Sequence, residues 1–314
     1  MNTYEIETIE QPSQNGYEDH KDLPDNTPLS KIAMLGSHDA GTYAYSKRRN
    51  KNRIPRSLGE AFPGAFKTQN KTLVEQAKAG ARYFDIRVAR NKDNSFSFFH
   101  GPSVASGNAV DDVIELLQYA AKNTNNFYLI KFVFKGESKK NTVSRENAAS
   151  DVFLETVLKN YHGNLITKSD TLNLGDASVD LLNKGKNIGI MVHGYNGVEK
   201  NFVYPYKKQV NTQWANRANA KATAKFLTSF HKKPAPENKL NIIQTNMPFA
   251  SVKHGEFTKG VKNYLSRKKN ILAEAIDKIL HPGIISADYI GNDNSATPEF
   301  IKRIKLHNQE LMRQ

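Results

Sequence analysis

The sequence predicts an α/β protein whose strands close, or nearly close, into a single barrel. Three observations carry that prediction. Short apolar runs alternate with longer amphipathic segments from Leu29 onward, which is the pattern of βαβ units built on a parallel sheet. Six or seven such runs spread over about 285 residues, a size that suits one barrel better than an open, doubly wound sheet. No Gly-rich dinucleotide or P-loop fingerprint follows any of the runs, so the usual signature of an open sheet is missing.

Residues 1–28 are polar and punctuated (QPSQNG, DLPDNTP) and lack a hydrophobic period, so they read as an arm ahead of one barrel domain over residues 29–314. The first strand, 32–35, is an apolar run ended by Gly36 and Ser37. A short helix is expected near 73–79, then strands at 83–88 and 96–99, where apolar residues alternate with Asp, Arg and Ser. Residues 109–122 carry apolar side chains at three- and four-residue intervals and read as a helix. A strong strand follows at 127–134, then a helix at 145–159. The second half repeats the theme more loosely, with strands at 188–192, 240–244 and 284–289 and helices at 217–230, 261–280 and 298–312. The loops around Lys207-Lys208 and 232–236 read as exposed connectors. No repeat and no shift in composition marks a second domain.

Composition narrows the chemistry. The 314 residues contain no cysteine, which excludes a disulfide scaffold, a thiolate metal site and a cysteine nucleophile. With 45 Lys+Arg against 31 Asp+Glu the net charge is +14, and the sequence pI is about 9.6, which points to a polyanionic partner without naming it. No run approaches the ~20 apolar residues of a membrane span, and the first ten residues have neither the basic nor the apolar region of a signal peptide. The expectation is a soluble protein that is secreted or delivered without a visible N-terminal signal, with a cytoplasmic location as the alternative.

In such a barrel the reactive groups lie where strands end. The first strand ends in Gly36-Ser37-His38-Asp39-Ala40-Gly41-Thr42, the second carries Asp85-Ile86-Arg87, the third ends in His100, and the last ends in Asp288. Two histidines, an arginine and several carboxylates thus meet on one rim. That set suits phosphodiester cleavage without a metal: one imidazole takes a proton from the attacking hydroxyl, the other protonates the leaving oxygen, and a guanidinium holds the phosphoryl oxygens. Strand parity puts Asp85 and Arg87 on one face and keeps Asp39 from lying behind His38. Asp39 is therefore expected to serve His100, Asp288 to orient His38, and Asp85 to hold Arg87.

The segments LSKIAMLGSHDAGTY, AGARYFDIRVAR, SFFHGP and GIISADYIG together resemble the X-domain of bacterial phosphatidylinositol-specific phospholipase C, in order and spacing over most of residues 29–305. The resemblance implies an irregular or incomplete TIM (β/α)8-type barrel. It makes His38 the general base, His100 the general acid and Arg87 the group on the phosphate, at a place calcium takes in metal-dependent members. It makes Asp288 the support of the base and Asp39 the partner of the acid, and it implies an enzyme with no cofactor. The implied reaction is attack by a head-group hydroxyl next to the phosphoester, giving a cyclic phosphodiester. A hydroxyl held in line supplies an effective molarity on the order of 10⁵–10⁸ M.

The head-group positions follow the family less well. Where the relatives place an arginine, this chain has His193, Gly194 and Tyr195; where they place an aspartate and a tyrosine, it has Asn211 to Trp214, the chain's one tryptophan. Lys131 and Lys135 share a parity and are both candidates for the lysine of the next strand. His193, Trp214, Lys131 and Lys135 are the candidate substrate contacts. Six of the ten residues from 47 to 56 are basic (Lys47, Arg48, Arg49, Lys51, Arg53, Arg56), and Phe62 and Phe66 follow them. Each Lys or Arg near an anionic membrane is worth ~1 kcal/mol, so these eight residues are the expected contacts with a phospholipid surface. A monomer that binds a small phosphodiester head group, with no nucleic-acid partner, is expected. Two alternatives stand beside this reading: a metal-dependent glycerophosphodiester or sphingolipid phosphodiesterase on a related barrel, and a basic nucleic-acid-binding protein with an inactive barrel.

Overall fold

The computed structural model describes residues 19–45, 66–135, 148–247 and 260–314, except 102, 106, 196, 218 and 293, and gives the backbone alone at 260–264. The strands in that part are β1 (Met34–Ser37), β2 (Ala81–Arg90), β3 (Phe96–His100), β4 (Ser103–Val104), β5 (Tyr128–Phe134), β6 (Ile188–His193), β7 (Val203–Pro205), β8 (Val210–Asn211), β9 (Leu240–Gln244) and β10 (Ile284–Ala287). The helices are α1 (Leu73–Lys78), α2 (Ala109–Lys122), α3 (Ala149–Leu158), α4 (Asp180–Asn183), α5 (Tyr206–Gln209), α6 (Ala220–Phe230), α7 (Gly260–Asp277) and α8 (Thr297–Leu311).

Eight strands run parallel in the order β7-β6-β5-β2-β1-β10-β9-β8. The two ends of that path, β7 and β8, are joined through the single turn of α5. Four residues cannot bridge the edges of a flat eight-stranded sheet, so the sheet curls into a barrel left open at one seam. This agrees with the irregular barrel expected from sequence. The strand count of six or seven is corrected to eight: the run at 96–99 becomes β3, antiparallel to β2 and off this path, and β7 and β8, three and two residues long and too short to show a hydrophobic period, are added. The Lys207-Lys208 stretch is likewise no plain connector: it is α5, the element that spans the seam.

Strand parity sorts the core into two layers. Met34, Tyr83, Leu129, Met191, Tyr204, Ile242 and Ile284 share one buried cluster, the barrel interior. Their chain neighbours Leu35, Phe84, Ile130, Ile190, Ile243 and Ile285 belong to the layer beneath the helices. Gly36 makes the interior possible: a Cβ there would meet Tyr83 Cδ1 at 2.9 Å and Ile284 Cγ2 at 3.0 Å. Each fully buried Leu, Ile or Phe contributes roughly 1.5–3 kcal/mol, so this floor stabilises a barrel whose upper layer is polar.

The lead-in is corrected as well. The part of the expected 1–28 arm that is described, 19–28, packs onto the barrel rather than standing ahead of it. His20 is fully buried, Leu23 and Leu29 join the interior cluster, and backbone bonds tie Lys21 to Asn125 and Leu29 to Ala177. These residues cover the apolar end of the barrel opposite the polar rim. α8 fixes the start of β1 through Asn308, whose side chain accepts from the Ala33 N–H and donates to the Ala33 carbonyl, both at 3.0 Å.

Candidate active site

The inward phase that builds the floor continues upward past the strand ends, where the apolar residues give way to polar ones. From Met34 and Gly36 it reaches His38; from Tyr83 it reaches Asp85 and Arg87; from Leu129 it reaches Lys131. The same phase leads from Met191 to His193, from Ile242 to Asn246, and from Ile284 to Asp288. Register brings these together: Asp85 pairs with Lys131 across β2 and β5, and Ser37 with Ala287 across β1 and β10.

The turn after β1 is held from several sides. The His38 carbonyl accepts from Thr68 Oγ1 at 3.1 Å and from Gln69 Nε2 at 3.0 Å, and Gln69 Nε2 also donates to the Ala287 carbonyl at 3.0 Å. Ser37 Oγ donates to Gln76 Oε1 at 2.5 Å, and Gln76 Nε2 donates to the Ala40 carbonyl at 2.9 Å. Asp39 sits in the left-handed region at φ 44°. Parity alone would send its side chain outward; the left-handed backbone turns the carboxylate back over the rim. Such a conformation in a non-glycine residue costs on the order of 1–3 kcal/mol, which the surrounding bonds offset. Gly41 follows because the loop lies against Phe98, whose ring a Cβ at 41 would overlap.

His38 is buried. Its Nδ1 lies 2.8 Å from Asp288 Oδ1, and since a carboxylate only accepts, Nδ1 carries the proton and Nε2 the lone pair. Nε2 faces two donors, Asn246 Nδ2 at 3.2 Å and an Arg87 guanidinium nitrogen at 3.4 Å, with Asp39 Oδ2 at 3.5 Å. Burial alone would lower the His38 pKa, but the carboxylates of Asp39 and Asp288 outweigh it and raise it above the usual histidine value.

His100 reaches the rim on the β3–β4 hairpin, which pairs antiparallel with the end of β2. Its Nδ1 donates to the Phe66 carbonyl at 2.7 Å, its ring meets the Phe66 ring edge-on at 6.0 Å, and its backbone N–H donates to the Tyr45 hydroxyl at 2.9 Å. Nε2 lies 3.2 Å from Asp39 Oδ2. Both nitrogens thus face oxygen acceptors. The two imidazoles stand 6.3 Å apart, nearly perpendicular.

Arg87 pairs through Nε with Asp39 Oδ1 and through a terminal nitrogen with Asp85 Oδ2 at 3.3 Å. Asp85 also takes Lys131 Nζ at 3.0 Å. Burial works against ionising Asp85, yet Lys131 first and Arg87 second hold it below the ordinary carboxylate range. Lys131 is raised in turn: burial opposes its charge, and Asp85 outweighs the burial. Among the described residues, His38, Asp39 and Asp85 offer ligand atoms within 4.8 Å of one another, the only such cluster there. Both carboxylates already meet cationic side chains, so a metal ion at that point would have to displace Arg87 and Lys131.

Of the candidate substrate contacts, Lys131 points inward and its Nζ lies 4.6 Å from the centre of the Tyr206 ring. His193 lies half-buried against the same ring at 5.6 Å, and burial, then Lys131 and Lys207, lower its pKa. Lys135 stands past the end of β5, its Nζ 5.5 Å from the Phe99 ring, apart from the Asp85 cluster. Trp214 is 41% exposed, and its Nε1 donates to the Asn246 carbonyl at 3.1 Å. Of the residues expected to touch a membrane, Lys47, Arg48, Arg49, Lys51, Arg53, Arg56 and Phe62 lie outside the described residues. Phe66 is half-buried, with its ring edge-on to His100 and its carbonyl accepting from His100 Nδ1. Sequence reasoning missed Thr68, Gln69, Tyr206 and Asn246. Asn246 had a signal, since it continues the inward phase of β9, whereas nothing local marks the other three.

No protein-family model matches the chain. Over 80 residues it is 34% identical to the 1-phosphatidylinositol phosphodiesterase of Staphylococcus aureus strain Newman, a match that spans 25% of this chain and 22% of that protein. In three dimensions the likeness extends much further. A mutant of the phosphatidylinositol-specific phospholipase C from Staphylococcus aureus superposes with a TM-score of 0.62 at 17% identity, covering 91% of this chain and 97% of that one. The phosphatidylinositol-specific phospholipase C from Listeria monocytogenes gives 0.55 at 20% identity over 90% and 97%. The fold is therefore that of the bacterial enzymes.

Proposed function

We propose that this chain is a phospholipase C-type phosphodiesterase that acts without a metal and cleaves the bond between diacylglycerol and phosphate in phosphatidylinositol or a related glycerophospholipid. One observation carries the reading: the Nε2 atoms of His38 and His100 both lie within 3.5 Å of one oxygen of Asp39, whose other oxygen meets Arg87. Two proton-transfer groups and a guanidinium are thus gathered around one carboxylate, close enough together to serve a single phosphodiester. The names of the relatives, a 1-phosphatidylinositol phosphodiesterase and phosphatidylinositol-specific phospholipases C, support the substrate class.

His38 Nε2 takes the proton of a head-group hydroxyl adjacent to the phosphoester, and that oxygen attacks phosphorus. Arg87 turns its fork onto the phosphoryl oxygens as their charge grows. The bond from phosphorus to the diacylglycerol oxygen breaks, and His100 gives that oxygen its Nε2 proton. The products are a diacylglycerol and a cyclic phosphodiester, which water opens with the two histidines exchanging roles. Asp288 fixes the tautomer of His38, and Asp39 holds Arg87 and His100 in register. Lys131 and His193, above Tyr206, meet the head group. The enzyme acts as a monomer outside the cell, peripherally on anionic lipid, with the 47–56 segment as its basic contact; among the described residues no helix is long and apolar enough to cross a membrane.

A second reading, a metal-dependent phosphodiesterase, rests on the His38, Asp39 and Asp85 cluster. Phosphatidylinositol vesicles in excess EDTA, followed by phosphorus NMR, separate the two. The proposed enzyme yields a cyclic phosphate under these conditions; cleavage abolished by EDTA and restored by a divalent ion supports the second reading. Absence of any cyclic phosphate across a panel of hydroxylated head groups rules out the cyclisation step.

A further inference from the structure

We propose that Asn246 is a positioning residue for the base, whose side-chain amide serves the His38 ring in both of its protonation states: as a donor to the neutral ring and, turned over, as an acceptor from the protonated one. The inference rests on the reading of His38 as general base. Three observations point to it.

The first is geometric. Asn246 Nδ2 lies 3.2 Å from His38 Nε2, the nitrogen that carries the lone pair because Nδ1 donates to Asp288. The second is an unused acceptor. Asn246 is 5% exposed, and its Oδ1 is buried without a hydrogen-bond partner among the described residues. A buried acceptor left unmade is unfavourable unless another state uses it. The third is the clamp on its backbone. Thr245 donates to the Ser286 carbonyl through both its N–H, at 3.0 Å, and its Oγ1, at 2.9 Å. On the other side Trp214 Nε1 donates to the Asn246 carbonyl. The main chain is thus held on both sides of this residue, and the side chain is tied only through its Nδ2.

These facts fit the proton inventory of the reaction. When the hydroxyl proton passes to His38 Nε2, that atom changes from acceptor to donor, and the amide N–H facing it becomes a mismatch. A turn of roughly 180° about the amide presents Oδ1 to the new N–H and uses the idle acceptor. No bond in Asn246 forms or breaks. The other groups facing His38 do not change over in this way: Asp288 just past β10, Asp39 from the turn and Asp85 from β2 only accept, Arg87 from β2 only donates, and His100 from the β3–β4 hairpin faces Asp39 with its reactive nitrogen.

The test compares the wild-type chain with N246L, N246D and N246S. His38 is titrated by NMR on histidine-labelled protein, its signal assigned against His38→Ala, and kcat and KM are measured on phosphatidylinositol vesicles. N246L neither donates nor accepts and so loses both bonds; the one from the charged ring is the stronger, so the His38 midpoint is expected to fall by about one pH unit and kcat by roughly 10- to 100-fold, with KM within about threefold. In N246D, which accepts but does not donate, the midpoint is expected to rise. N246S, whose hydroxyl does both but stands one bond farther from the ring and reaches it through a water, should recover part of the N246L titration shift and of its kcat loss, a rescue that a purely space-filling role does not produce. A folded N246L whose His38 titrates like wild type overturns the proposal; should N246L fail to fold, equal midpoints in wild type, N246D and N246S overturn it. If the wild-type chain cleaves no phosphodiester, the functional reading falls and the titrations alone decide the role of the amide.

Discussion

The central residue is Asp39, because its one carboxylate touches the two candidate proton-transfer groups and the arginine. Replacing either His38 or His100 by alanine is expected to lower kcat by roughly 10²–10⁴-fold on phosphatidylinositol vesicles, with the unfolding midpoint little changed. Parent-level rates in both variants would refute the two-histidine mechanism. Arg87→Lys keeps the charge but loses the fork that meets Asp39 and Asp85 together; kcat should drop by about 10²-fold, and a drop under threefold would mean that a point charge suffices. His38, the proposed base, must be neutral to act, and its pKa is raised. Activity should therefore fall, as pH drops, through a midpoint above the usual histidine value, and Asp288→Asn, which removes one of the charges that raise it, should move that limb to lower pH. Legibility at this scale followed locality. His38, Asp39, Arg87 and His100 lie in short motifs at strand ends, whereas Tyr206 and Gln69 reach the site only through the fold. Lys131 and Lys135 were equal by parity, and the pairing of Asp85 with Lys131 separates them.

Among the elements, the turn after β1 does most to position the site. It needs a left-handed Asp39 and close contact between Gly41 and Phe98, and Phe98 belongs to the hairpin strand that ends in His100. The turn bearing one histidine thus packs against the strand bearing the other. Gly41→Ala is expected to destabilise the fold by about 1–3 kcal/mol through overpacking and to lower kcat by shifting one imidazole relative to the other. Gly163→Ala, where a Cβ meets nothing within 4 Å, serves as the control and should be close to neutral. Urea unfolding of both variants decides it: equal midpoints would show that the Phe98 contact has slack. Long elements such as α2 were legible because periodicity accumulates over four turns. The seam made of β7, α5 and β8 was not, since elements of two to four residues fall below the length at which any period can be read.

At the scale of the whole molecule, the apolar floor and the polar rim respond differently to pH. His20 and His231 are buried away from the rim, and burial, followed by Arg82 for His20, lowers their pKa values to about 3 and about 4. Below pH ~6.5 the unfolded chain binds protons that the folded one refuses, so stability should decline as pH falls from about 6.5 toward 4, by up to ~1.4 kcal/mol per pH unit per histidine. His38 has the opposite sign: its raised pKa gives a contribution fully present below about 6.5 and lost as pH rises through the folded value. Asp85, held low, loses its contribution only below the ordinary carboxylate range. Urea midpoints from pH 7 to 4.5 test the net effect, and a midpoint that stays flat would mean that the two histidines are hydrated in the folded chain. Sequence by itself determined the alternation of strands and helices, the parity of the inward residues and the four motifs, because each is written within a few consecutive residues. Only the tertiary structure decided that the barrel stays open at α5, that residues 19–28 pack against its apolar end, that Asp39 turns inward and that Asn246 meets His38. Those outcomes depend on which strands become neighbours and in what register, and contacts between groups 100 or 200 residues apart leave no local trace in the chain that makes them.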